Sequence, residues 1–228
     1  MILKSKFFSI LDSGIEGSLT RMARYGSSPD IAPDIVNIKG SITIREVGLQ
    51  DALSLVNRIR ANMINGNWCI KPNQTTPLDK DQVQWYSRCY STYKLLCQIN
   101  DILYSGFEDI SDAREHYFFV MFYEETPIGI LVFSNDATKI TEPAKIEEFA
   151  IHVGMRRSGV FLMEYAVNKS KELGKNGNVK LIPARDAISV YFKYGFEFKG
   201  GYMVLEPSQN HKWGIFKDGY YFKAGCAY

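Results

Sequence analysis

Between Ile146 and Val167 the chain reads IEEFAIHVGMRRSGVFLMEYAV. Its first part, AKIEEFAIHV from Ala144, is a strand by composition. Its second, SGVFLMEYAVNKSKELG, is a helix of about four turns closed by Gly174. Only a short turn separates them, so a helix start must sit at the edge of a sheet. A helix start exposes unpaired backbone N–H groups and carries about half a unit of positive charge. Together these make an anion site. Arg156 and Arg157 add two full charges, while Ser158 and Gly159 keep the approach narrow enough for a phosphate to reach the backbone. The segment MRRSG therefore suits a pyrophosphate, although by charge alone a basic surface turn would look the same.

The rest of the chain says what kind of sheet this is. SITIREV, from Ser41, alternates as a strand, with Ile42 and Ile44 on one face. LQDALSLVNRIRANMI is a helix. Thr76 before Pro77 opens a second helix, by the preference of Thr for the cap and Pro for the first turn. Its apolar face is read as Trp85, Tyr86, Cys89, Tyr90, Tyr93, Leu96 and Cys97. HYFFVMFYEETPIGILVFSND gives two strands joined by a tight turn. VKLIPA is a strand, DAISVYFKYG a short helix ended by Gly195, and FEFKGGYMVLE a last strand kinked at Gly200 and Gly201. WGIFKDGYYFKA is a hairpin around Asp218-Gly219. The fold class is therefore mixed α/β (α+β): one central, mostly antiparallel, twisted sheet of about six to seven strands with helices on both faces. Three regions are expected: an N-terminal arm and linker over 1–40, a domain over 41–206, and a C-terminal hairpin appendage over 207–228. In the arm, Phe7, Phe8, Leu11, Ile15, Leu19 and Met22 recur at helical spacing.

Composition excludes several alternatives. A net charge of +2 is too balanced for a general nucleic-acid binder. Cys69, Cys89, Cys97 and Cys226 form no CxxC pair, and His116, His152 and His211 are scattered, so no metal site is expected. Unpaired thiols fit a reducing, cytoplasmic setting. The longest fully apolar run is far short of the roughly 20 residues of a membrane helix, so no membrane partner is expected.

The stretch around MRRSG resembles motif A of the GNAT N-acetyltransferase superfamily: a strand ending in an aliphatic residue, a turn, then Arg or Gln, two residues, Gly, one residue, and Gly or Ala. Ile151 matches the aliphatic residue, Arg156 the Arg, and Gly159 the first Gly. Val153 stands where Pro is frequent. Phe161 replaces the second Gly or Ala, and its ring either crowds the pyrophosphate or points into the core. ARDAISVYFKYGFEF is similar to the superfamily's late helix through Ala187, Tyr191, Gly195 and Phe196, with Ala184 in place of a frequent Asn. SITIREVGLQDALSL and ETPIGILVF resemble earlier elements, and the match spans roughly 41–206.

The resemblance implies an acyl-CoA co-substrate, most often acetyl-CoA, and transfer to an amine. The cofactor-binding stretch it implies is Ile151, His152, Val153, Arg156, Arg157, Ser158, Gly159, Val160 and Phe161, with Tyr194; the His152 side chain itself reads as structural. The Ile151 N–H is the donor it implies for the thioester carbonyl. Adjacent strand residues face opposite ways, so only one of Glu147 and Glu148 can meet the substrate directly as base. Glu147 is favoured and Glu148 held in reserve; an acid at an exposed strand face is the bland alternative. Tyr191 is the general acid by motif position, or else a core tyrosine. The acceptor is left open among protein, small molecule and nucleic acid, and a homodimer is compatible with the chain. The competing reading is a non-catalytic GNAT-fold binding protein, such as a bacterial effector or regulatory module. An acyl-homoserine-lactone synthase shares the fold, but nothing in the sequence asks for it.

Overall fold

The computed structural model describes residues 41–65, 80–105, 114–155 and 158–223. The expected N-terminal helix, the Thr76-Pro77 helix start, Arg156, Arg157, Cys69 and Cys226 lie outside the described residues. The element order is β1 (Ile42–Val47), α1 (Leu49–Asn65), α2 (Lys80–Ser105), β2 (Arg114–Tyr123), β3 (Thr126–Asp136), β4 (Ala144–Ile151) and α3 (Gly159–Glu172). There follow β5 (Val179–Leu181), α4 (Ile188–Tyr194), β6 (Glu197–Lys199), β7 (Tyr202–Leu205), β8 (Trp213–Phe216) and β9 (Gly219–Phe222). Seven strands form one sheet in the order β1-β2-β3-β4-β5-β7-β6, and β8 and β9 form a separate hairpin. All neighbours in the large sheet are antiparallel except β4 and β5. The mixed α/β class and the mostly antiparallel sheet are as the sequence led us to expect.

Burial explains the layering. Phe118 to Phe122 and Ile128 to Phe133 are buried without alternation, because β2 and β3 lie mid-sheet with both faces covered. On one face lies α3: the Tyr165 ring meets Phe119 at 5.1 Å between centroids. On the other lie α1 and α2. Helix α1 buries Ala52, Val56, Ile59 and Met63, the i, i+4, i+7 stripe of an amphipathic helix. Helix α2 buries Cys89, Leu96, Ile99 and Leu103. Tyr90 is 60% exposed, so it does not belong to the apolar face that sequence assigned to α2.

Two turns differ from the sequence expectation. Gly200 and Gly201 do not kink one strand. Both take positive φ, 57° and 88°, and form a two-residue turn that folds β6 back on β7. In the C-terminal hairpin the turn residues are Lys217 and Asp218, with φ 46° and 65°, one position before the expected Asp-Gly pair. The register is set elsewhere: Trp213 packs on Phe222 at 5.5 Å, and the Tyr221 ring covers Gly214, so closely that a Cβ there would meet it at 2.6 Å.

Candidate functional site

Strands β4 and β5 are paired over only three residues, Ala144 to Ile146 against Val179 to Leu181. Strand β5 then stops and β4 continues to Ile151. Successive amides of a strand point to opposite neighbours. The His152 N–H reaches the Ile128 carbonyl at 2.7 Å, toward β3. The N–H groups of Ile151 and Phe149 therefore point the other way, along the edge that β5 no longer covers. An uncovered strand edge in mid-sheet is a row of donors and acceptors able to pair with an extended ligand.

A β-bulge decides which residues line that edge. Val132 pairs with Glu148 and Phe133 with Ile146, so Glu147 is the extra residue. The bulge breaks the simple alternation. Lys145 pairs with Ser134 and Glu148 with Val132, two residues apart on β3, so Lys145 and Glu148 share a face. Glu147 joins them there, because its carboxylate accepts from the Ser134 hydroxyl at 2.7 Å. The two glutamates therefore share a face, where simple strand alternation predicts opposite faces.

The two carboxylates differ in surroundings. Glu147 is enclosed by ion pairs, with Arg114 at 3.3 Å and with Lys145. No ion pair to Glu148 is recorded among the described residues. Burial pushes the Glu148 carboxyl above its ordinary value, the neighbouring Glu147 adds to this, and Lys145 opposes it.

Helix α4 supplies two tyrosines one turn apart. It ends at Gly195, which takes a left-handed φ of 93° and gives its N–H to Phe192 O. Tyr191 is buried, with its ring edge-on to Phe196. Burial first, and the Glu148 charge second, raise its pKa to about 12. Tyr191 and Glu148 are thus brought together from α4 and β4. Tyr194 is pushed up by burial and then by Tyr191. Its hydroxyl lies against the first residue of α3: a Cβ on Gly159 would stand 3.1 Å from it and 3.0 Å from both Phe149 and Ile151. Gly159 is the residue that allows β4, α3 and α4 to converge.

At the start of α3, Ser158 is spent locally: its hydroxyl donates to Met155 O at 2.7 Å and its N–H goes to the same carbonyl. The Phe161 N–H is also taken, by Ser158 O at 3.0 Å. The N–H groups of Gly159 and Val160 precede any intrahelical acceptor. The Phe161 side chain turns toward β1, where with Ile42, Ile44 and Tyr165 it lines a separate cavity of about 290 Å³. Phe161 is half-buried and also packs against the hydrophobic core. His152 is buried, and its Nδ1 accepts from the Gly154 N–H at 3.2 Å, which leaves the ring proton on Nε2. Val153 is half-buried at the turn.

The site residues named from sequence thus fall into two groups. Glu148, Tyr191, Ile151, Gly159 and Tyr194 surround the open edge. Glu147 sits one step away in an ionic cluster. Sequence reading missed the partners of that cluster, Arg114, Ser134 and Lys145, which come from three strands. It also missed Phe149, whose only signal was an aromatic in the middle of an acidic strand. Among the described residues no group of His, Cys, Asp or Glu could hold a metal ion, and no helix is long and apolar enough to cross a membrane.

No protein-family model matches the chain, and no curated protein matches it. Solved structures similar to it include the PaiA N-acetyltransferase of Thermoplasma acidophilum in complex with coenzyme A, 17% identical over 72% of this chain and 96% of that one, with a TM-score of 0.41. A tandem GNAT protein from the clavulanic acid biosynthesis pathway is 15% identical over 70% of this chain and 45% of that one, with a TM-score of 0.44. A GNAT-family acetyltransferase from Streptococcus pneumoniae is 19% identical over 70% of this chain and 86% of that one, with a TM-score of 0.38.

Proposed function

We propose that this chain is an acyl-CoA-dependent N-acyltransferase of the GNAT type, moving an acetyl or other short acyl group to an amine by direct attack. One observation carries the reading: β4 outruns β5 beside the start of α3, with a raised-pKa carboxylate and a buried tyrosine at the same opening. The motif-A resemblance of Ile151 to Gly159 agrees with it. The donor set fits coenzyme A. The outward amides of Phe149 and Ile151 suit an extended amide-bearing arm. Gly159 keeps the start of α3 close to the strand, and the Gly159 and Val160 amides suit a phosphate. In sequence, Arg156 and Arg157 immediately precede this helix start and supply two positive charges.

The acyl-CoA contributes an activated acyl group as its thioester. Glu148 is the base of choice over Glu147. Both lie on one face, but the Glu147 carboxylate is already engaged by Arg114, Lys145 and the Ser134 hydroxyl. Burial gives Glu148 a greater affinity for the proton that the amine must lose. The amine nitrogen bonds to the acyl carbon, the carbon–sulfur bond breaks, and the amine proton passes to Glu148. Negative charge on the carbonyl oxygen meets the Ile151 N–H. Tyr191 faces the departing sulfur. Its pKa of about 12 lies well above the ~8.5 of a thiol, so it acts as a hydrogen-bond donor that keeps its proton. Release of CoA returns the Glu148 proton to solvent or to the thiolate.

The test is thiol release from acetyl-CoA with an amine panel, followed against pH. For the parent, kcat/KM rises with pH through a limb above the ordinary carboxylate value of about 4.3. Glu148→Gln removes that limb and lowers kcat by about 10² to 10³-fold, and Tyr191→Phe lowers kcat by about tenfold or more with KM little changed. Retention of the limb in Glu148→Gln would take the base role from Glu148.

A further inference from the structure

A second cavity, about 580 Å³ in volume, opens on the same face of the sheet as Glu148, toward the other end of β4. Its charged lining comprises Arg114, Lys139, Lys145 and Lys180 against Asp136 and Glu142. Ser134, Pro143 and Tyr202 complete the wall. The size is within the range of small-molecule sites, about 300 to 1,000 Å³.

The wall is held in place from beneath. Lys175 is buried, and its ammonium donates to the carbonyls of Asp136 and Lys139 at 3.1 and 2.6 Å. It fixes the turn that carries Asp136, Lys139 and Glu142. Glu142 is shared by Lys180 at 2.7 Å and Lys139 at 3.8 Å. Glu147, at the upper rim, is shared by Arg114 and Lys145 and also accepts from Ser134. Each ammonium has three donors. Lys180 places one on Glu142 and lies over the Tyr202 ring at 5.2 Å; Lys145 places one on Glu147. Four cationic side chains, Arg114, Lys139, Lys145 and Lys180, thus meet three carboxylates, Asp136, Glu142 and Glu147, so positive charge and its N–H donors are in surplus by one side chain.

From this donor surplus, and resting on the acyltransferase reading, we infer that the cavity beside Lys145 and Lys180 holds an oxyanion borne by the amine acceptor. The acceptor is thus an anionic amine, carrying a carboxylate or a phosphate. Because the bulge at Glu147 sets Lys145 and Glu148 opposite β3 residues only two apart, their backbones stand about 7 Å from each other. The acceptor's amine and anion are therefore separated by several bonds, as in an ω-amino acid.

The experiment uses the full chain and three amines of one length: 6-aminohexanoate, 6-aminohexyl phosphate and hexylamine. Backbone amide shifts of Lys145, Lys180 and their neighbours are followed by NMR on titration without acetyl-CoA, and transfer is then measured with acetyl-CoA present. The expected result is perturbation of these amides by at least one of the anionic amines and not by hexylamine, with kcat/KM for it about tenfold or more above hexylamine. Carboxylate and phosphate are separated by which of the two is preferred. In Lys180→Ala the preference for the anionic amine falls to within about twofold. Equal kcat/KM for all three amines in the parent protein overturns the inference without any variant, as does perturbation confined to other amides. Failure of acetyl-CoA itself to bind, seen as no thermal stabilisation, overturns the transferase reading and with it the acceptor role; anion-induced shifts at Lys145 and Lys180 would tell that failure apart from loss of the cavity site.

Discussion

His152 shows how a single side chain ties the site to the fold. It follows the last residue of β4, its amide belongs to the β3–β4 ladder, and its Nδ1 caps the Gly154 N–H. Burial lowers its pKa from 6.5 to about 4, so the folded protein holds it neutral. The unfolded chain binds a proton below about 6.5 and the folded one only below about 4. The contribution to stability is therefore complete above pH 6.5 and is lost as the pH falls through that window. At 1.36 kcal/mol per pKa unit it amounts to about 3 kcal/mol. Urea unfolding from pH 7 to pH 4 should show His152→Asn losing less stability than the parent, by about that amount; equal losses would remove His152 from the acid sensitivity. At this scale the sequence was legible where chemistry is local. A lone histidine among aliphatics at a strand end was read as structural, and Tyr191 and Gly159 were named by motif. The surroundings of Glu147 and Glu148 were not legible, because a bulge that depends on β3 pairing puts both on one face and other strands supply the partners of Glu147.

Among the elements, the C-terminal hairpin β8–β9 has a role that its position in the chain conceals. The Asn168 amide on α3 bonds both backbone groups of Tyr220, accepting at 2.7 Å and donating at 2.9 Å, as a strand neighbour would. Glu164 on the same helix accepts from the Phe222 N–H at 2.7 Å. On the other side Trp213 Nε1 donates to Tyr194 O, Lys212 to Phe192 O and Asn210 to Gly195 O, which satisfies carbonyls at the end of α4. The hairpin thereby links α3 and α4, the two helices that flank the open strand edge. Asn168→Ala removes two partly buried hydrogen bonds to the hairpin and a third to the Glu164 carbonyl, and should cost about 1 to 3 kcal/mol in chemical denaturation, with faster exchange of the Tyr220 amide. Unchanged exchange there would show that the hairpin is held by its aromatics alone. Most elements could be read from periodicity, since β2, β3, α1 and α3 carry long apolar patterns. The doubling back at Gly200-Gly201 could not, because a Gly pair serves equally as a kink or a turn until a partner strand is in place.

For the whole molecule, the central feature is a sheet that comes apart along one seam. Strand β4 belongs to the sheet on its β3 side throughout, and on its β5 side for three residues only. Everything assigned to function borders that seam or its continuation on one face: the Phe149 and Ile151 amides, the start of α3, Glu148, Tyr191 and the cationic cavity. No sequence pattern announces such a seam, since the length of VKLIPA does not tell how far it will pair. The resemblance at MRRSG pointed to the C-terminal end of β4 but left open what lies beside it. The most direct test is amide hydrogen exchange, residue by residue, with and without coenzyme A. The account predicts that coenzyme A slows exchange at Phe149, Ile151, Gly159 and Val160, whereas Glu148 and Ala150, already directed toward β3, change little. Protection absent from Phe149 and Ile151 while coenzyme A is bound would contradict it.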